Sequence, residues 1–274
     1  MMSNSLSPVT TPSMLYPTFP SPRGQDFRCP TCHSTNRTHI CSVIFTPGVV
    51  KELNKALTEW NDWVFKQGVT GVFKGVKKLE GYNFSCGWCE TNWFVASELI
   101  LNSIIVDQIN QIHEFTDKTK KEFGALILRN NRGICLDMIQ IGEELAISFD
   151  LTRPLEQDEE ILGTIHCHPI SETFSHWDII TAINNPWETV SAVVGAEGTL
   201  VVMVKLPGTK GLTENLNLTV KRWEDENRSV DDIAAEYNFL VYRGKPSSMQ
   251  LVLGQGMTTT LEELLRGVKG SKCI

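Results

Sequence analysis

The segment Ile161-Leu-Gly-Thr-Ile-His-Cys-His168-Pro169, followed by Ser175-His-Trp-Asp178, constrains the fold more than any other part of the chain. An apolar run of this length reads as a buried strand, and Pro169 ends it because proline cannot continue a ladder. Ser175 is a natural N-cap, with Asp178 three residues on, so a helix is expected from Ser175 to about Asn184. A strand that breaks into a capped helix is a building unit of an α/β fold. The surroundings agree. Phe123–Leu128 and Gly133–Ile141 read as strands, and Thr189–Val194 and Thr199–Leu206 flank Gly195-Ala-Glu-Gly198 as a hairpin. Ser229-Val-Asp-Asp232 opens a helix to about Tyr237, and Leu261–Leu265 suggests a further one.

Ahead of this region the texture differs. Residues 1–24 carry five prolines among serines and threonines and read as a disordered tail. A strand at His39–Phe45 is followed by an amphipathic helix over about 50–65, with Val50, Leu53, Leu57, Trp60 and Val64 on one stripe. Residues 95 to about 115 read as a second, more apolar helix leading into the α/β part.

Two Cys-x-x-Cys pairs, Cys29/Cys32 and Cys86/Cys89, bracket that first region. Such turns aim two thiolates at one metal, and two turns close a tetrahedral zinc site. Cys29, Cys32, Cys86 and Cys89 are therefore expected to hold a structural zinc, with the helix near 50–65 as an insertion in a zinc ribbon; redox-active or merely buried cysteine is the alternative. His33 and Cys41 are nearby spare ligands, expected to be bystanders. The chain carries 25 basic and 32 acidic residues, a net charge of -7, which argues against a whole-chain nucleic-acid binder. Residues 24–94 hold eight basic and six acidic residues, too weak a surplus for a phosphate groove, so protein recognition is expected of the ribbon. No apolar run reaches the roughly 18 residues of a membrane span. With no signal-peptide pattern at the start, a cytoplasmic protein is expected.

The chemistry concentrates at the strand–helix unit. Side chains alternate along a strand, so His166 and His168 project to one side and Cys167 to the other. Asp178 sits in the first helical turn, where it can face the strand end. Two imidazoles and a carboxylate leave a fourth position for water, the ligand count of a catalytic rather than a structural zinc. Glu122, just ahead of the strand at Phe123, can supply the base that takes a proton from the attacking water and returns it to a leaving amine. Ser175 Oγ could donate to a developing oxyanion, or could only cap its helix. Taken singly, each residue also reads as a packed strand histidine or a helix cap; the combination favours a metal site. Glu172 and His176 lie beside it and are read as rim residues, and Cys135 as core.

These residues resemble the JAMM/MPN+ (JAB-domain) zinc metalloproteases: an upstream Glu at the start of an apolar strand, His-x-His-Pro, a short loop and Ser-x-x-Asp. The resemblance covers about residues 115–210. It implies His166, His168 and Asp178 as zinc ligands, Glu122 as general acid/base and Ser175 as an oxyanion stabiliser. It also implies a cytidine-deaminase-like (MPN) α/β/α sandwich, and hydrolysis of an isopeptide or peptide bond after the tail of a ubiquitin-like modifier. Where the family usually shows Glu-x-x-Gly, this chain has Glu122-Phe-Gly-Ala125.

The expected organisation is a tail at 1–24, a zinc-ribbon-like domain at 25–94, a linker helix at 95–117, a catalytic domain at 118–245 and an extension at 246–274. The expected activity is a deubiquitinase-like isopeptidase with one catalytic and one structural zinc. Its partners would be a ubiquitin-like protein or its conjugates, with conjugation-pathway enzymes recruited through the ribbon. The competing readings are a non-catalytic MPN/zinc-ribbon scaffold and a hydrolase of small amides or sulfur-carrier tails.

Overall fold

The computed structural model describes residues 37–45, 79–86, 92–96, 98–101, 103–130, 133–137, 139–152, 154–157, 159–205, 211–212, 214–237 and 239–254. Cys29, Cys32, Cys89, His33 and Cys273 lie outside them, as do the tail at 1–24, the helix expected near 50–65 and the one at 261–265.

The first three strands, β1 (Arg37–Phe45), β2 (Leu79–Cys86) and β3 (Asn92–Ala96), form an antiparallel sheet in the order β1-β2-β3. Cys86 ends β2 opposite Arg37, and Cys41 lies mid-strand opposite Asn83. The helix expected from residue 95 begins later. Residues 98–100 form a strand, β4 (Glu98–Ile100), and only then does α1 (Ser103–Thr119) start. A short apolar run has no periodicity of its own to separate strand from helix. Here the decision comes from distant pairing, because Leu99 meets Leu251 and Ile100 meets Gln250.

The remaining strands are β5 (Phe123–Asn130), β6 (Gly133–Leu136), β7 (Gln140–Ile141), β8 (Glu160–Cys167), β9 (Val190–Val194), β10 (Leu200–Lys205), β11 (Phe239–Gly244) and β12 (Gln250–Leu253). With β4 they make a nine-stranded sheet in the order β4-β12-β11-β10-β9-β8-β5-β6, with β7 also paired to β5. The expected strand Gly133–Ile141 is thus two strands, which pair with different parts of β5. The sheet also reaches outside the 118–245 span read as the catalytic domain, since β4 and β12 form one edge. The helices α2 (His176–Asn184), α3 (Leu216–Asp225) and α4 (Val230–Glu236) complete a mixed α/β fold.

Strand β8 runs parallel to β9 and antiparallel to β5, with α2 in the β8–β9 connection. Its alternation sorts the two faces. Ile165 and Cys167 are buried on one side, and the Cys167 thiol lies within reach of Thr116 on α1. Thr164, His166 and His168 line a cleft on the other side, shared with residues of α2. Two glycines permit the close approach. A Cβ on Gly163 would lie 1.6 Å from the Val190 carbonyl oxygen, and one on Gly124 would lie 2.5 Å from the Ile165 carbonyl oxygen and 3.0 Å from His166 Cβ. Around α2 the core is aliphatic, with Ile179, Ile180 and Ile183 buried, while Trp223 of α3 is fully buried. Among the described residues no helix is long and apolar enough to cross a membrane.

Candidate metal centre

The register of β5 on β8 builds one wall of the site. Phe123 pairs with Cys167 and Gly124 with His166, which brings Glu122, one residue ahead of β5, level with His168. The backbone of Glu122 is held by the following loop: its N–H donates to the Glu143 carbonyl at 2.7 Å, and its own carbonyl accepts from Gly142 at 2.8 Å. Gly124 leaves the room in which the His166 side chain and the Phe149 ring stand. The glycine of this Glu-Phe-Gly-Ala stretch therefore serves the histidine directly opposite it.

The other wall is the N-terminal turn of α2. Ser175 caps the helix, with the Asp178 N–H donating to Ser175 Oγ at 3.2 Å. Both the Ser175 N–H and its hydroxyl donate to Asp178 Oδ2 at 2.7 Å. This capping box fixes the Asp178 carboxylate and turns it toward the strand end. The Ser175 hydroxyl is committed to the box, so the cap is the role the geometry displays.

Four side chains converge. The Nε2 atoms of His166 and His168 stand 3.0 Å apart. Asp178 places Oδ1 3.4 Å from His166 Nε2 and Oδ2 3.4 Å from His168 Nε2. Glu122 Oε1 lies 3.8 Å from His168 Nε2. One donor atom each of Glu122, His166 and His168 falls within 4.8 Å of the others, and Asp178 stands closer to both imidazoles than Glu122 does to His168. Glu122, His166 and His168 are each less than a tenth exposed. Among the described residues, neither carboxylate is paired with a lysine or arginine.

The orientation of His168 is set from behind. Its Nδ1 lies 3.0 Å from the Thr173 carbonyl, which can only accept, so Nδ1 carries the proton and Nε2 of the neutral ring offers its lone pair to the cleft. The electrostatics follow from crowding acids and imidazoles where burial strips them of solvent. Burial raises the pKa of Glu122, and the two histidines only partly offset it. Burial works against a charge on His168, but Asp178 and Glu122 outweigh it and raise its pKa. Burial also opposes the Asp178 charge, yet His166 and His168 hold that carboxyl well below its ordinary range. Cys167 is not a nucleophile here: burial pushes its thiol up to about 11, on the face away from the cleft.

The donor set fits a divalent cation of borderline softness. Among the described residues, two imidazole nitrogens and carboxylate oxygens converge with no cationic side chain among them, a donor set that could hold a metal ion. The cleft around it, about 770 Å³, is lined by Leu145–Phe149, Leu151 and Ile170 among others. Trp177, Asn185, Trp187 and Glu188 line it as well.

The structure brings together Glu122, His166, His168, Ser175 and Asp178. The two residues read as rim do not line the cleft. Glu172 accepts from the Glu197 N–H at 2.6 Å, and His176 Nε2 bonds the Arg228 carbonyl at 3.2 Å with its ring edge-on to Trp223. Both are used up holding neighbouring elements together. Cys135, read as core, is only partly buried on β6.

Sequence reasoning missed a second buried group in the cleft, centred on Glu188. Its Oε1 accepts from the Thr164 and Ser191 hydroxyls at 2.7 and 2.9 Å, and its Oε2 from Asn185 Nδ2 at 3.1 Å. The period of two places Thr164 on the face of His166, but Glu188 carries no local pattern. Compared with protein-family models, with curated proteins and with solved structures, the chain matches none of them.

Proposed function

We propose that the chain is a zinc-dependent hydrolase of the JAMM/MPN+ type, an isopeptidase that cleaves the bond after the extended tail of a ubiquitin-like modifier. The observation that carries the reading is the convergence of His166 Nε2, His168 Nε2 and the Asp178 carboxylate, with buried Glu122 beside them, in one open cleft. His166, His168 and Asp178 would hold the cation. Bound there, zinc would polarise the scissile carbonyl and acidify the attacking water. Glu122 takes the proton of that water on its carboxylate and hands it to the leaving amine. Its burial suits the role of base, because desolvation raises its pKa and makes the carboxylate a stronger proton acceptor. Asp178 is held by the Ser175 cap, and His168 by the Thr173 carbonyl, so the ligands need little reorganisation.

The MPN sandwich is the architecture this reading implies for the α/β sheet. A structural zinc on Cys29, Cys32, Cys86 and Cys89, and recruitment of conjugates or conjugation-pathway enzymes through that region, belong to the same proposal. Support in the described part is limited to the antiparallel β1-β2-β3 sheet, with Cys86 at the end of β2.

The test is zinc per chain by elemental analysis, on wild type and on the His166→Ala/His168→Ala variant, followed by cleavage of modifier fusions. Two zincs falling to one, with cleavage lost in the variant, is the expected result. An unchanged zinc content would remove the catalytic metal and leave the scaffold reading.

A further inference from the structure

The metal-side residues are fixed at the N-terminal end of α2; the other end of that helix is tied to the sheet by Lys205 of β10 and by Glu188, and only Glu188 reaches the strand of the two histidines. The residue follows α2 by a few positions and is only 3% exposed, yet it is a carboxylate. Thr164 lies on β8 two residues before His166, on the same face of the strand, and donates to Glu188 at 2.7 Å. Ser191 is the register partner of Thr164 on parallel β9, and donates to the same oxygen at 2.9 Å. Asn185, the C-cap of α2, donates to the second oxygen through Nδ2 at 3.1 Å. The Glu188 N–H donates to the Asn185 carbonyl at 3.3 Å, and the same carbonyl accepts from Lys205 Nζ at 2.8 Å. Lys205 also donates to the Ala182 and Ile183 carbonyls at 2.7 and 3.0 Å. One carboxylate thus joins three elements: the strand that carries both histidines, the strand next to it and the end of the helix that carries Asp178.

We propose that Glu188 is a positioning residue for the metal site, which sets the distance and angle between α2 and β8 and thereby the placement of Asp178 relative to His166 and His168. The proposal rests on the metal reading of those three residues. The physical argument is leverage. Asp178 and Asn185 lie on one rigid helix, about 10 Å apart at 1.5 Å per residue, so a rotation at the Asn185 end is carried to the Asp178 end. Thr164 and His166 lie on one strand, so the Thr164 tie refers that movement to the histidines. A tether of side-chain hydrogen bonds holds more tightly than apolar contact, because breaking the buried bond of Thr164 or Ser191 strands a buried polar atom.

The experiment compares wild type, Glu188→Ala, Glu188→Gln and Thr164→Val in the full chain. Zinc affinity is read by chelator competition, and the cobalt(II) visible spectrum as a difference against His166→Ala/His168→Ala, which removes any contribution from cysteine thiolates. Melting of the metal-free proteins is followed alongside. Glu188→Ala is expected to weaken cleft zinc by about tenfold or more, the scale of losing a group that orients metal ligands, and to shift the cobalt bands. Glu188→Gln keeps an acceptor for both hydroxyls, and its amide N–H keeps the tie to Asn185 once the Asn185 amide flips to present its oxygen, so it is expected to restore most of the affinity and the spectrum. A lowered melting temperature together with unchanged zinc affinity and cobalt bands in Glu188→Ala would overturn the proposal and leave Glu188 a stabilising residue alone. If Glu188→Ala does not fold, Thr164→Val decides by the same two readouts, supporting the tie if affinity and bands move and overturning it if neither does. A wild type without cobalt bands that depend on His166 and His168 would instead remove the metal site itself, and the positioning role with it.

Discussion

Two buried polar clusters share one face of the sheet, at opposite ends of α2, and they are satisfied in opposite ways. At the far end, Glu188 and Lys205 bring a negative and a positive charge into the interior, each with three hydrogen-bond partners. At the near end, Glu122 and Asp178 stand against two imidazoles with no lysine or arginine bonded to them among the described residues. The first cluster is complete as protein. The second has acids whose pKa values are pushed in opposite directions and two ring nitrogens in contact, an arrangement that a cation would relieve. Buried polar groups that the chain satisfies with its own opposite charges and carbonyls hold the fold; clustered acids and imidazoles without a lysine or arginine are where a metal ion could be held.

The largest effect expected from breaking this contrast is on the near cluster. His166→Ala/His168→Ala should abolish modifier cleavage and remove one zinc per chain, with the melting temperature of the metal-free protein little changed. Glu122→Gln should keep the zinc and lower the cleavage rate by a factor of about 10² to 10⁴, the usual contribution of a positioned base; retained cleavage would rule Glu122 out as that base. The same substitution sharpens the comparison through stability. Because burial raises the Glu122 pKa above its unfolded value, its contribution to stability is full at low pH and is lost as pH rises through the folded pKa. Metal-free Glu122→Gln should therefore be more stable than wild type above the folded pKa of Glu122, and the difference should vanish in acid.

On the far cluster the sign reverses. Lys205→Met takes the lysine donor from the Ala182 and Ile183 carbonyls, while the Asn185 carbonyl keeps the Glu188 N–H, and should cost about 3 kcal/mol in denaturant melts. Between the clusters, Gly124→Ala would force a Cβ against the Ile165 carbonyl and His166, and should weaken zinc binding several-fold in chelator competition. The smallest effect is expected from His176→Ala. That ring faces Arg228 and Trp223, so zinc affinity should stay at the wild-type value.

The near cluster was legible in the sequence because its parts are local. A strand period of two puts His166 and His168 on one side, and Ser175 with Asp178 spells a capping box, which the structure shows with both of its bonds. Glu122 was legible because an apolar strand follows it. Glu188 was not, because Ser191 and Asn185 three residues to either side form no recognisable motif with it, and Thr164 meets it only through the parallel register of β8 and β9. The stretch at 95–100 was misread for a related reason: Glu98–Ile100 becomes a strand through residues 250–252, which no local window contains. The cysteines of the expected ribbon, apart from Cys86, lie outside the described residues.

That edge pairing has a consequence for how the molecule is made. Residues 98–100 find their partners roughly 150 positions later, and the Leu101 N–H closes onto the Met249 carbonyl. During synthesis this edge cannot form until residues near 250 have emerged, long after β5, β8 and α2 are available to pair. Contacts of such high sequence separation slow folding and leave an open strand edge exposed in the meantime. Until β12 has formed, the β11 edge of the sheet and the early strand β4 both lack the partner that later joins them.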